Sequence, residues 1–145
     1  MFSGEFEHSI DSKGRLTIPA KFREALESGV VVTRGLDGCL WAYPRSEWEM
    51  VEEKLSKLPT SNKAARNFSR FMFSGAFDSI PDRQGRVIIP QKLREYAGID
   101  NETAVIGVMN RVEIWNPTKW SEAFSEVEED PEAIAAQLDE LDINF

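Results

Sequence analysis

Apolar and polar positions succeed one another along this chain in a single order, and the chain runs through that order twice. A short alternating stretch, Glu5–Ser9, predicts a strand with one exposed face, and Ala76–Ser79 predicts its counterpart. Each leads into a D-x-x-G-R turn and then an apolar run, Leu16-Thr17-Ile18 or Val87-Ile88-Ile89, whose β-branched content predicts a second strand. Pro19 and Pro90 close those strands and suit the first position of a helix, where a fixed φ and a missing N–H cost nothing. The helices so launched are short, Ala20–Leu26 and Gln91–Ala97, with Gly98 placed to end the second. A hairpin follows in each half. Val30–Thr33 and Cys39–Tyr43 flank Gly35–Gly38, while Thr103–Val108 and Val112–Trp115 flank a tighter turn at Met109-Asn110-Arg111.

Both halves then finish in a pair of helices. Ser46-Glu47-Trp48-Glu49 reads as a capping box ahead of Trp48, Val51, Leu55 and Leu58 at helical spacing, and Pro59 ends that helix. Ser61 is the expected cap of the next, whose Ala64, Ala65, Phe68, Phe71 and Met72 form one stripe. Asn116-Pro117 and Asp130-Pro131 each supply an N-cap followed by proline, opening helices that carry Trp120, Phe124 and Val127, then Ile134, Leu138 and Leu141. Such stripes suit core or helix-pair packing, and Phe68, Phe71 and Met72 form the better candidate for a subunit contact.

The doubling is closest in one segment. Ser3–Glu24 and Ser74–Glu95 align without a gap at an offset of 71, with 11 of 22 positions identical. Asp11/Asp82, Gly14/Gly85, Arg15/Arg86, Pro19/Pro90, Lys21/Lys92 and Arg23/Arg94 coincide, and Tyr43/Trp115 and Trp48/Trp120 continue the match at an offset of 72. The chain therefore divides into a first repeat with its helix pair (1–73), a second repeat (74–120) and an acidic helical extension (121–145). The fold class expected is α+β with a mainly β core.

Charge changes this picture once its distribution is considered. The net charge is −8, but all 17 Lys and Arg lie within residues 1–120 and offset the acids there to leave +1, whereas 121–145 holds nine acids and no base. The acidity belongs to the extension, as a solvated helix pair, as a screen or autoinhibitory element near the basic turns, or as a partner surface, and the body is near neutral with local basic clusters. No segment is apolar enough to span a bilayer, no signal peptide is expected, and the lone Cys39 fits a core position in a reducing cytoplasm.

Candidate chemistry is sparse. His8 is the single histidine and is expected to be an exposed strand residue. With one Cys and one His, a zinc site or a Ser-His-Asp triad is not expected, and neither phosphate-binding glycine motif is present. An enzyme, a metal and a cofactor are all unexpected. The repeated turn is more informative. Its Asp can bond the backbone amides of the turn, and its Gly supplies a positive φ, so Asp11, Gly14, Asp82 and Gly85 are structural candidates. Arg15 and Arg86 could pair with those aspartates or leave the turn toward an external target. Lys13, Lys21 and Arg23 sit near Arg15, and Arg83, Lys92 and Arg94 near Arg86, so the outward reading is preferred. A rigid turn aiming Arg outward suits guanine O6/N7 or phosphate. Lys21/Arg23 and Lys92/Arg94, on the first turns of their helices, are equally compatible with solvent and with a bound anion that relieves an unfavourable helix dipole.

The pair of D-x-x-G-R-x-x-[IL]-P motifs, with FSGAF, VIGVMNRVEIW and TRGLDGCLWAYP, resembles the MraZ family of bacterial transcriptional regulators from Met1 to about Trp120. More distantly the chain resembles AbrB-type swapped-hairpin domains, each half standing as one SpoVT-AbrB-like repeat. The resemblance implies a tandem-repeat swapped-hairpin, double-psi-like β-barrel with peripheral helix pairs, and a ring-shaped homo-oligomer. It implies a cytoplasmic, nucleoid-associated regulator. Its expected partner is double-stranded DNA, at short G-rich direct repeats upstream of the division and cell-wall operon that includes its own gene. The family's D-x-x-x-R element falls on Asp11/Arg15 and Asp82/Arg86. Lys13 becomes Gln84 and Ser12 becomes Arg83, so the turns are unequal. The first is favoured for base contacts, because Lys13 and Arg15 would share one side of an extended segment. Two rival classes remain, an oligomeric scaffold using the turn only for assembly and, less favoured, an enzyme on the same barrel.

Overall fold

Alternating β-branched and aromatic residues build the framework of the computed structural model, which describes residues 1–143, so the last two residues of the extension lie outside the described part. In chain order the elements are β1 (Phe2–Ser9), β2 (Arg15–Thr17), α1 (Arg23–Leu26), β3 (Val30–Arg34), β4 (Leu40–Pro44), α2 (Arg45–Ser56) and α3 (Lys63–Gly75). The second half follows with β5 (Phe77–Ser79), β6 (Arg86–Ile88), α4 (Gln91–Ala97), β7 (Glu102–Met109), β8 (Arg111–Trp115), α5 (Pro117–Glu129) and α6 (Pro131–Gln137). The α+β architecture with a mainly β core is the expected one.

Each half gives its first strand to the other. β1 pairs with β7 over its whole length, from Phe2 opposite Met109 to Ser9 opposite Glu102, and β5 pairs with β3. The six-stranded antiparallel sheet therefore runs β1-β7-β8-β4-β3-β5, and a separate ribbon is formed by β2 and β6. A pseudo-two-fold axis passes through both. In the ribbon Leu16 faces Val87, with Arg15 opposite Ile88 and Thr17 opposite Arg86. In the sheet Trp41 faces Glu113, with Leu40 opposite Ile114 and Ala42 opposite Val112. A lone bridge between Ile10 and Leu16 hinges the ribbon to the sheet edge.

The core lies between ribbon and sheet. Leu16 and Val87 point inward from the ribbon, joined by Ile18, Ile89, Phe22 and Leu93, against Val32, Leu40, Val105 and Ile114 from the sheet. Phe2 and Phe6 of β1 meet Phe22 edge to face at 5.2 and 5.3 Å, which ties the swapped strand to the helix that follows the first turn.

Several local expectations are corrected. The first short helix opens as a 3-10 turn over Ala20–Phe22 and is α-helical only over four residues, because buried Phe22 sits at the junction with φ −100° and its N–H donates to the Pro19 carbonyl. Ser46 does not cap α2: β4 runs through Pro44 and the helix begins at Arg45, leaving Ser46 inside it. The cap of α3 is Asn62 rather than Ser61, its side chain accepting from the Ala65 N–H at 3.0 Å. Asn116 and Asp130 cap α5 and α6 as expected, and Gly98 ends α4 in the left-handed region. The Phe68, Phe71 and Met72 stripe is not spare surface. Met72 is buried with Val31, Tyr43 and Trp48, Phe68 and Phe71 pack against that cluster, and Thr33 Oγ1 donates to the Met72 carbonyl at 2.5 Å. Cys39 is buried, and its thiol is pushed up to about 12 by burial and then by the Glu113 charge, so it is an unreactive core residue.

Glu113 closes the sheet end of the pseudo-dyad. Its Oε2 accepts from Trp41 Nε1 at 3.0 Å and from Arg111, its Oε1 accepts from Trp115 Nε1 at 3.1 Å, and the Arg111 guanidinium lies 4.4 Å from the centre of the Trp41 ring. One carboxylate thus satisfies two indoles and a guanidinium, and removing it strands three donors in a half-buried site. Glu113→Ala is expected to cost about 2–3 kcal/mol in denaturant unfolding followed by tryptophan fluorescence, with Glu113→Gln losing less because it keeps one acceptor.

At the ribbon end, the two halves brace each other. The Ile18 N–H donates to the Gly85 carbonyl and the Ile89 N–H to the Gly14 carbonyl, both at 2.8 Å. Arg23 Nε donates to Ile18 O at 3.2 Å and Arg94 Nε to Ile89 O at 3.0 Å. Each guanidinium lies over the turn glycine of the opposite half: a Cβ on Gly85, at φ +73°, would come within 2.5 Å of Arg23 Nε, and one on Gly14 within 3.2 Å of Arg94. Gly85→Ala is therefore expected to cost more than the about 1–2 kcal/mol of left-handed strain alone, and more than Gly14→Ala, in the same unfolding measurement.

Candidate nucleic-acid interface

The repeated turn is built around a carboxylate. In the first half the Asp11 N–H donates to Arg15 O and the Gly14 N–H to Asp11 O, both at 3.0 Å, which closes a loop that only Gly14, at φ 79°, negotiates without strain. Asp11 Oδ1 accepts from the Lys13 and Arg15 amides at 3.0 and 2.9 Å, and its Oδ2 accepts from Arg15 Nε at 2.6 Å. The second half repeats this geometry: Asp82 Oδ1 accepts from the Gln84 and Arg86 amides at 2.9 Å each, and Oδ2 from Arg86 Nε at 2.8 Å. The Arg15 amide, followed by the Arg15 guanidinium, holds the Asp11 carboxyl below the usual carboxylate range, and Arg86 does the same to Asp82. The turn thus favours the ionised form of both aspartates.

The expectation that the arginines simply leave the turn is corrected. Each is turned back on the aspartate four residues before it. The tether uses Nε, however, and so leaves the terminal nitrogens at the far end of the guanidinium. For Arg15 these make no hydrogen bond among the described residues. Arg86 is held more closely, its Nη1 lying 3.9 Å from Asp11 Oδ2 as well. A guanidinium oriented by a carboxylate at Nε, with its terminal N–H groups free, fits the paired acceptors of a guanine edge or a phosphate. Of the two, Arg15 is better disposed to do so.

Strand alternation sets what lies beside them. With Leu16 and Val87 buried, Arg15, Thr17, Arg86 and Ile88 share the outer face of the ribbon, and Ile88 is 48% exposed. The sequence conceals this residue inside the apolar run Val87-Ile88-Ile89, of which the flanking two are buried. Period-two alternation, applied strictly to that run, is the signal that reveals it.

The other basic candidates divide. Lys13 lies in the tight turn, not on an extended segment, and so does not share a strand face with Arg15 as expected; it is exposed, as is Arg83. Lys21 Nζ donates to Ser3 Oγ at 3.1 Å, and Arg23 and Arg94 brace the opposing turns, so internal partners already serve the groups expected to call for an anion. Arg23 and Arg83 line one cleft of about 400 Å³, where Glu24, Glu27 and Asp82 surround them with negative charge. His8 is half-buried rather than exposed, and burial, then the neighbouring Arg23, hold its imidazole below its ordinary value. Among the described residues no group of three His, Cys, Asp or Glu side chains is placed to hold a metal, and no helix is long and apolar enough to cross a membrane.

Comparison with known proteins gives this geometry a context. The family model described as "MraZ protein, putative antitoxin-like" matches twice, over residues 1–71 and 72–141. The "Transcriptional regulator MraZ" of Pediococcus pentosaceus is 59% identical over 138 residues, covering 95% of this chain and 96% of that protein. Proteins of the same name from Clostridium acetobutylicum and Clostridium beijerinckii are 52% and 51% identical over 143 residues, covering 99% of this chain and all of theirs. The doubled turn, the swapped strands and these full-length matches agree: the chain belongs to the MraZ family.

Proposed function

We propose that this chain is a sequence-specific DNA-binding transcriptional regulator that reads DNA with the outer face of its β2–β6 ribbon, Arg15 making the principal base contact. The observation that carries the reading is the Nε tether: Asp11 fixes the guanidinium while leaving its terminal nitrogens for an external acceptor pair. Asp82 and Arg86 form the second, more tightly held element, and Lys13 and Arg83, exposed at the turn tips, supply phosphate contacts. The names of the relatives support the same class.

The body of the chain carries few such contacts, too few for tight binding by one copy. Several copies engaging several direct repeats raise avidity by about 10²–10⁴, which supports a homo-oligomer on repeated G-rich sites upstream of its own division and cell-wall operon. Unlike charge on the two helix pairs supports head-to-tail closure into a ring: α3 carries Lys63, Arg66 and Arg70 with no acid, whereas α5 and α6 carry Glu122, Glu126, Glu128, Glu129 and Glu132 against Lys119 alone. Such a protein works in the cytoplasm at the nucleoid.

The rival scaffold reading draws on the same salt bridges, taking the Asp–Arg pairs as assembly devices. One comparison separates them. Arg15→Ala is expected to weaken the mobility shift on the DNA upstream of the chain's own coding sequence by about tenfold or more, while light scattering shows an unchanged oligomer, and Arg86→Ala to weaken the shift less. Wild-type affinity should fall by about 0.9 log units per log unit of salt for each phosphate contact. An Arg15→Ala protein that shifts DNA like wild type, or that changes oligomer size, contradicts the proposed reading.

A further inference from the structure

The two ribbon arginines do not have the same neighbour. Directly across the ribbon from Arg15 stands Ile88, and directly across from Arg86 stands Thr17. The pairs are related by the pseudo-two-fold axis, so the difference is one of side chain and not of backbone. Opposed residues of an antiparallel pair lie about 4.5–5.5 Å apart at Cβ, close enough that whatever an arginine contacts, its cross-strand partner meets the adjoining atoms. Ile88 is also anomalous in its own right. It is 48% exposed on a face otherwise composed of two ion-paired arginines and a threonine, while every other apolar side chain of β2 and β6 is buried. Among the described residues, none of the apolar clusters takes Ile88 in.

The major groove supplies an occupant with the right chemistry. There the only apolar group on any base edge is the C5-methyl of thymine, and aliphatic contact with it is how proteins distinguish that base. Resting on the DNA-reading assignment above, we propose that Ile88 is a specificity-determining residue that packs on a thymine methyl next to the base contacted by Arg15. The terminal guanidinium N–H groups of Arg15 beside it, which call for hydrogen-bond acceptors, select DNA over an apolar protein partner for this exposed residue. The same geometry makes the two elements unequal readers. Arg15 with Ile88 reads a guanine beside a thymine. Arg86, drawn toward two carboxylates and paired with the smaller, hydroxyl-bearing Thr17, discriminates less.

Uracil tests this with minimal disturbance, since it differs from thymine only by that methyl. Binding of the full chain to its upstream DNA is compared on duplexes made with thymine or with uracil throughout, for wild type, Ile88→Ser and Ile88→Thr, each first checked for unchanged thermal melting. Wild type is expected to bind uracil DNA more weakly, by about fourfold for each methyl contacted. Ile88→Ser is expected to bind both duplexes alike, at the weakened level, and Ile88→Thr, which retains one methyl, to keep part of the preference. Equal wild-type binding to the two duplexes overturns the proposal, as does an Ile88→Ser protein that still prefers thymine to the wild-type extent. Failure of the DNA-reading assignment looks different: Arg15→Ala then shifts the thymine duplex as well as wild type does.

Discussion

Everything at the ribbon depends on a carboxylate that performs two tasks at once. In D-x-x-G-R the Asp accepts two backbone amides through one oxygen and an arginine Nε through the other. The first task builds a turn tight enough to start β2 or β6 at a fixed position. The second removes the freedom of a long side chain, so that less conformational entropy would be lost if that arginine bound DNA. The geometry recurs in the second half with nearly the same distances, because the same residues fold the same turn against a symmetry-related neighbour. Neither half completes its turn alone: the Gly of each lies under an Arg of the other, and each lends a carbonyl to the other's strand.

The opposite end of the pseudo-dyad resolves the same problem differently. Exact two-fold symmetry would set two identical residues face to face, and the chain instead places Trp41 against Glu113. That substitution lets a single acid collect two indole N–H groups and a guanidinium, a network no symmetric dimer of identical halves could build with one carboxylate. Fusing the halves into one chain thus permits asymmetry at both ends, in packing at Glu113 and in surface chemistry at Ile88 and Thr17.

How far the sequence discloses this varies with the range of the forces involved. The repeat, the strands around it and the Asn116 and Asp130 caps are legible, because a proline at the next position fixes the register of each cap. Ser46 and Ser61 show the limit: a local capping signal loses when β4 runs straight into α2, or when a neighbouring Asn62 is better placed. Periodicity tells which face of β1 is buried but not that its partner is β7, almost a hundred residues away. The aspartates of the turn are legible from turn chemistry. The Nε tether of Arg15 is not, since i, i+4 spacing outside a helix fixes no side-chain direction. Arg23 and Arg94 look like ligand contacts in the sequence because their actual partners, a carbonyl and a glycine across the dyad, leave no local trace.

Under the proposed function Asp11 aids DNA binding by aiming Arg15, against the simple expectation that an anion facing phosphate hinders it. The most direct measurement is a double-mutant cycle on DNA affinity using Asp11→Asn, Arg15→Ala and their combination, on the chain's own upstream DNA at fixed salt. Asparagine is nearly isosteric and still accepts the turn amides, but it loses the ionic hold on Nε. An aiming role for Asp11 means that Asp11→Asn weakens binding when Arg15 is present and has a much smaller effect, transmitted through Arg86 Nη1 alone, when Arg15 is already alanine. Tighter binding by Asp11→Asn, or an effect of equal size in both backgrounds, would contradict it.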